Sequence, residues 1–286
     1  MSSNTSTVPL SWLRSDPECR LGLTAARFTR VRSLICAVLA LGITTLFYSV
    51  LAILPVQFEH AIDMFCARGM IPYVIVFATA WCVALLAIKS RKLRLQRKAL
   101  NYLVVPEAND FVLSPVTVDQ VIARMFSTVD DPKYFVLFNR ITVALSNLRN
   151  LGRVTDVDEI LRSQAEHDES IMESSYSLLR GLIWAIPVLG FIGTVLGLSE
   201  AIGGFGNVLA TTGDMNTISN SLKGVTAGLS IAFDTTLIAL VAALVIQIWT
   251  TFSHKSEEEF LDNCTEYCQL NIVNRLRLMP FHTDEE

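Results

Sequence analysis

The sequence predicts an all-α membrane protein with four transmembrane helices, the last two long and extending beyond the bilayer. Three observations predict it. Only 17% of the 286 residues are charged and 51% are hydrophobic, whereas a soluble domain carries about 25% charged residues. Four apolar runs, near 33–54, 71–88, 178–202 and 224–250, each approach the roughly 20 residues that a helix needs to cross the hydrocarbon core. Neither glycine nor proline occurs from Leu229 through Met279, so a continuous helix there would run about 75 Å, half of it outside the bilayer.

Charge sets the expected orientation. Arg14, Arg20, Arg27, Arg30 and Arg32 precede the first span, and Lys89, Arg91, Lys92, Arg94, Arg97 and Lys98 follow the second, while the turns after spans one and three hold only Arg68 and Lys223. By the positive-inside rule both termini and the central region are cytoplasmic. The first span lies too far from the start, and its apolar run is too long, for a secretory signal, so it reads as a retained anchor. The expected organisation is a cytoplasmic N-terminal segment over 1–32, two peripheral spans over 33–88, a cytoplasmic helical insert over 89–177, a second pair of spans over 178–252, and a cytoplasmic helical tail over 253–286.

The insert carries helix signals of its own. Thr117 with Gln120 reads as a capping pair, and Phe135, Phe138, Ile141, Leu145 and Leu148 fall on one helical stripe. Asp156 with Glu159 opens a second capping pattern, and from there to about Gly203 a continuous helix would run about 70 Å. In the tail, Phe260, Cys264, Cys268 and Ile272 recur every four residues as a packing stripe. The cysteines show no disulfide framework and no zinc spacing.

The stretch "IPVLGFIGTVLGL" places Gly190, Gly193, Thr194, Gly197 and Ala201 on neighbouring positions of one helical face, with Pro187 before them. Small residues let helices approach closely in lipid. Thr194 has two readings: a hydroxyl bonded to its own helix backbone, or a polar point on an ion path. In the fourth span, Asp234 lies near the expected midplane, where an ionisable group costs at least ~2.5 kcal/mol and marks a functional site by default. Thr235 and Thr236 follow it. Thr236 shares a stripe with Gly228, Ala232, Ala239 and Ala243, whereas Asp234 aligns with Ala227 and Ser230. Glu200, near the outer end of the third span, is either a solvated carboxylate or part of an ion entrance. Trp184 and Trp249 read as interface anchors. The four histidines are dispersed, and no nucleophile constellation, phosphate loop or metal cluster is evident, so neither an enzyme, a bound metal nor a cofactor is expected.

These two stretches together resemble the MotA/TolQ/ExbB proton-channel family, through Pro187, Leu189, Gly190, Gly193, Thr194, Val195 and Gly197 on the first pore helix and Thr236 on the second. The resemblance covers roughly residues 155–275. It implies a homopentameric, pore-forming ion-channel subunit of a bacterial inner-membrane motor. Its two long helices would line the pore and surround a dimer of single-span partners of the ExbD, TolR or MotB type, in membrane lipid and without nucleic acid. Such a complex converts ion-motive force into mechanical work, as in protein transport. Two departures stand out. Four spans with both termini inside are similar to MotA, not to ExbB or TolQ, and Asp234 is not part of the usual ExbB pattern.

A sodium-driven version is the nearest alternative, motivated by the oxygens of Asp234 and Thr235. A secondary transporter would need internal repeats around a broken-helix site, and the two halves of the chain are not similar. A purely structural scaffold explains the glycines but not Asp234.

Overall fold

A computed structural model describes residues 9–16, 27–55, 58–105, 113–115, 117–151, 155–211 and 215–276. The helices run in the order α1 (Trp12–Ser15), α2 (Ser33–Ile53), α3 (Glu59–Cys66), α4 (Ile71–Ala99), α5 (Val118–Thr128), α6 (Val136–Leu151), α7 (Thr155–Ser175), α8 (Ser177–Thr211) and α9 (Met215–Asn271). Among the described residues extended pairing is confined to two isolated bridges, Leu10 with Val129 and Leu113 with Leu276. The chain is all-α, and four of its helical stretches are long and apolar enough to cross a membrane.

It divides into two compact units. An apolar unit comprises Arg32–Ala87 and Tyr176–Phe252; a polar unit comprises Met1–Val31, Ile88–Ser175 and Ser253–Glu286. Helices α4 and α9 contribute to both.

The apolar unit presents large side chains outward, including Leu34, Val38 and Leu46 of α2, Phe191, Val195 and Ile202 of α8, and Phe233, Leu240 and Leu244 of α9. A soluble protein rarely exposes contiguous apolar faces of this kind, and they suit a lipid environment. Helix α8 continues through Pro187, which a membrane helix tolerates where neighbours compensate the lost hydrogen bond. The segment after the first span is more than a connecting turn. It contains α3, whose Phe65 meets Phe47 edge-on at 5.2 Å, while Tyr48 of α2 stacks on Tyr73 of α4 at 4.5 Å.

In the polar unit the stripe Phe135, Phe138, Ile141, Leu145 and Leu148 is buried, as is the stripe Phe260, Cys264, Cys268 and Ile272. Arg140, fully buried, ties three helices together: its Nε donates to Asp168 Oδ2 of α7 at 2.6 Å and its Nη1 to Thr265 Oγ1 of α9 at 2.9 Å. Lys89 donates to Ser175 Oγ at 2.8 Å and pairs with Glu257 at 2.7 Å, and Thr29 also bonds Glu257. Lys92 donates to the carbonyl of Arg30 at 2.8 Å. The basic run after the second span is thus divided, with Lys89 and Lys92 turned inward and Arg91, Arg94 and Lys98 exposed.

Residues 9–16 of the N-terminal segment are packed into this unit, which the charge pattern alone did not reveal. Trp12 is fully buried, stacked on Tyr134 and edge-on to Phe135. Asp130 accepts from Ser11 Oγ at 2.9 Å and from the backbone N–H groups of Trp12 and Leu13 at 3.0 and 3.1 Å, anchoring the start of α1. Trp12→Ala is expected to cost the unit about 3–5 kcal/mol by loss of this buried ring, read as a fall in its thermal midpoint in detergent. Burial tends to raise the carboxyl of Asp130, but the bonds from Trp12, Leu13, Ser11 and Asp131 outweigh it and hold its pKa below the usual value. A depressed folded pKa stabilises above the ordinary carboxylate range and is lost as pH falls through the lowered value. Resistance of residues 9–16 to proteolysis should decline over that acidic window, and Asp130→Asn should flatten the decline.

Four expectations of detail are corrected. The helix expected from Asp156 to about Gly203 is divided by a turn at buried Tyr176, where the Ser175 hydroxyl bonds back to the Met172 carbonyl, a local bond that competes with helix regularity. The last helix starts earlier than Leu229, at Met215, and ends at Asn271 before a 3-10 turn over Val273–Arg275; Met279 lies outside the described residues. Thr117 occupies the N-cap position of α5 without capping it, because its hydroxyl is engaged with Ser114. Asp156 lies within the first turn of α7, one residue after Thr155.

Candidate functional site

Helices α8 and α9 meet through the small residues that the sequence singles out. A Cβ built on Gly190 would stand 2.5 Å from Ala239 Cβ, one on Gly193 would stand 2.6 Å from Thr235 Oγ1, and one on Gly197 would stand 3.0 Å from the Gly228 carbonyl. Real Cβ atoms essentially never make contacts as short as those at Gly190 and Gly193, and the one at Gly197 is tighter than most, so the glycines permit a close backbone approach that side chains would disturb. Gly228 returns the relation, with Ala201 Cβ 2.6 Å from its hypothetical Cβ.

At the middle of this seam lies a cluster of four oxygens. The hydroxyls of Thr194 and Thr236 hydrogen-bond each other, and each lies 3.2 Å from both the Gly190 and the Ala232 carbonyl. The sequence left two readings of Thr194 open, and the geometry contains the first within a larger arrangement. Its hydroxyl reaches its own helix at Gly190 and also crosses to α9. Two hydroxyl protons serve these contacts, and they can be arranged in two ways: Thr194 donates to Thr236 and Thr236 to a carbonyl, or the reverse. The direction of donation can therefore switch by rotating hydroxyls, without a helix moving. Both threonines keep partial exposure.

Thr235, by contrast, is fully buried. Its hydroxyl donates to Ala232 O at 3.0 Å and its side chain packs on Gly193. Pro187 lies one turn before Gly190 on the same helix. Glu200 is exposed, six residues beyond Thr194 on α8. Asp234 is also outside the oxygen cluster. Its Oδ2 pairs with Arg68 Nη2 at 2.9 Å, and Ser230 Oγ lies 3.4 Å from the carboxylate and 3.3 Å from the guanidinium. Ile71, the first residue of α4, lies against Gly193, so Arg68, three residues earlier, is carried up to α9.

Arg68 is the residue that sequence reasoning missed. A signal existed. Asp234 is a lone acid in an apolar span and requires a partner, and Arg68 is the one basic residue between the first two spans. Reading that segment as a plain turn concealed the pairing. Among the described residues no group of three or more His, Cys, Asp and Glu side chains is placed to hold a metal ion.

Four membrane-competent helices and a hydroxyl–carbonyl cluster within the seam of the two longest define a multi-pass helical membrane protein with a polar point buried between apolar helices. Residues 136–264, from the start of α6 to Cys264 of α9, match the MotA/TolQ/ExbB proton channel family, a match that covers a little under half of the chain. No curated relative and no solved structure matches the chain.

Proposed function

We propose that the protein is the proton-conducting subunit of an energy-transducing complex in the bacterial inner membrane. In this reading five copies surround a dimer of single-span partners of the ExbD, TolR or MotB type, and the termini and polar unit are cytoplasmic. The match of residues 136–264 to the MotA/TolQ/ExbB family supports a proton channel, and the Thr194–Thr236 cluster carries the residue-level reading. A hydroxyl pair that reverses its donation in place can order a water or receive a proton from an acidic group on the partner. A unit charge falling through 100 mV releases about 2.3 kcal/mol, so a few protons suffice for a mechanical step on the partner. Glu200, exposed toward the outer end of α8, is the proposed entrance. Pro187 and the glycines hold the pore helix in place.

Sodium coupling is less well supported by the same geometry. The two groups that would add oxygens to a cation site are engaged elsewhere, Asp234 with Arg68 and Thr235 with the Ala232 carbonyl. The test is ion uptake by liposomes containing the chain and its partner at a fixed inside-negative potential. Acidification of the lumen in sodium-free buffer is expected; uptake that requires sodium would overturn the proton assignment.

A further inference from the structure

The exposed half of the basic run on α4 has no role in the site above. Arg91, Arg94 and Lys98 are all exposed and fall within about 60° of arc at 100° per residue. None of their side chains has an ion pair or hydrogen bond among the described residues. Arg97, on an adjoining part of the same helix, is different: it reaches Ser256 at 2.7 Å and Glu259 at 3.7 Å. The basic residues that hold the polar unit together, Lys89 and Lys92, point the other way.

The unpaired three begin three residues after Ile88, where the apolar run of the same helix ends. At 1.5 Å per residue, Arg91 and Arg94 stand about 5 and 9 Å past that end and Lys98 about 15 Å. The polar headgroup layer is roughly 5–8 Å thick on each side, and surface charge acts over a further Debye length of about 8–10 Å. Long arginine and lysine side chains reach back toward the interface.

We infer that Arg91, Arg94 and Lys98 form a docking face for the phosphate headgroups of anionic phospholipids in the leaflet next to them. Each cation near such a surface contributes about a five-fold preference for anionic over zwitterionic lipid, and three give about 100-fold. Arginine forks match phosphate oxygens two at a time, which adds retention to the simple charge attraction.

The full-length chain is reconstituted in vesicles of equal phosphatidylglycerol and phosphatidylcholine, extracted in a mild neutral detergent, and the lipid retained per chain is counted. The wild type is expected to retain an excess of phosphatidylglycerol that Arg91→Gln, Arg94→Gln and Lys98→Gln together abolish. Arg97→Gln and the charge-keeping pair Arg91→Lys with Arg94→Lys should leave most of that excess. Extraction of the wild type in 1 M salt, which needs no variant to fold, should also strip it. An excess that survives the triple substitution or high salt would overturn the inference. So would displacement of the lipid by inorganic phosphate at constant ionic strength, which would mark a site for a free anion.

Discussion

Gly190→Ala should disrupt the seam between α8 and α9, although it adds only one methyl group. The new carbon would stand 2.5 Å from Ala239 Cβ and 3.3 Å from Thr236 Cα. Neither neighbour is the end of a flexible chain, so one helix backbone must move. Overpacking of this kind costs about 1–3 kcal/mol, and the stretch of α9 that must shift, at Ala239, also carries Thr236. The thermal midpoint in detergent should therefore fall. Gly181 and Gly42 provide the contrast, because a Cβ at either meets nothing within 4 Å. Alanine there should be neutral, or stabilising by up to about 1 kcal/mol through helix propensity. Equal midpoints for Gly190→Ala and Gly181→Ala would contradict the packing described.

Removing Arg68 should be more damaging than removing the whole ion pair. Arg68→Gln leaves the Asp234 carboxylate with Ser230 as its remaining partner. Breaking a fully buried pair costs about 3–5 kcal/mol. The cost here should lie toward or below the lower end, because each side chain retains 17% exposure. Asp234→Asn strands the guanidinium and should be destabilising in the same sense. The double variant removes both charges and should recover most of the loss, a non-additivity that a double-mutant cycle reads directly. Additive effects would show that the two residues do not act as a pair.

How far the sequence could be read depended on the kind of signal. The four spans were legible because lipid imposes length and apolarity on each separately, and the stripes ending in Leu148 and Ile272 because helical period alone decides which face is buried. Gly190, Gly193, Gly197 and the Gly228–Ala243 stripe marked small-residue faces on α8 and α9 that carry Thr194 and Thr236, but that these two faces meet each other is seen only in the structure. What escaped were contacts set by distant partners. Arg68 meets Asp234 across 166 positions of chain, as the residue numbers show, and no local pattern encodes that. Trp12 was overlooked because its aromatic cage is formed by Tyr134 and Phe135. Thr117 and Asp156 had the right residue types for caps, but neighbouring Ser114 and the earlier start of α7 decided their geometry.

The central claim is that the Thr194–Thr236 hydroxyl pair carries the ion path, and proton flux tests it most directly. Valine keeps the shape of threonine and removes only the hydroxyl. In liposomes containing the chain and the proposed single-span partner, at fixed membrane potential, each substitution should slow flux about tenfold, as loss of ~1.4 kcal/mol of hydrogen bonding at the barrier requires. Thr194→Val with Thr236→Val together should slow it further, with the assembled complex unchanged in size. Wild-type flux through the intact double variant would contradict the account.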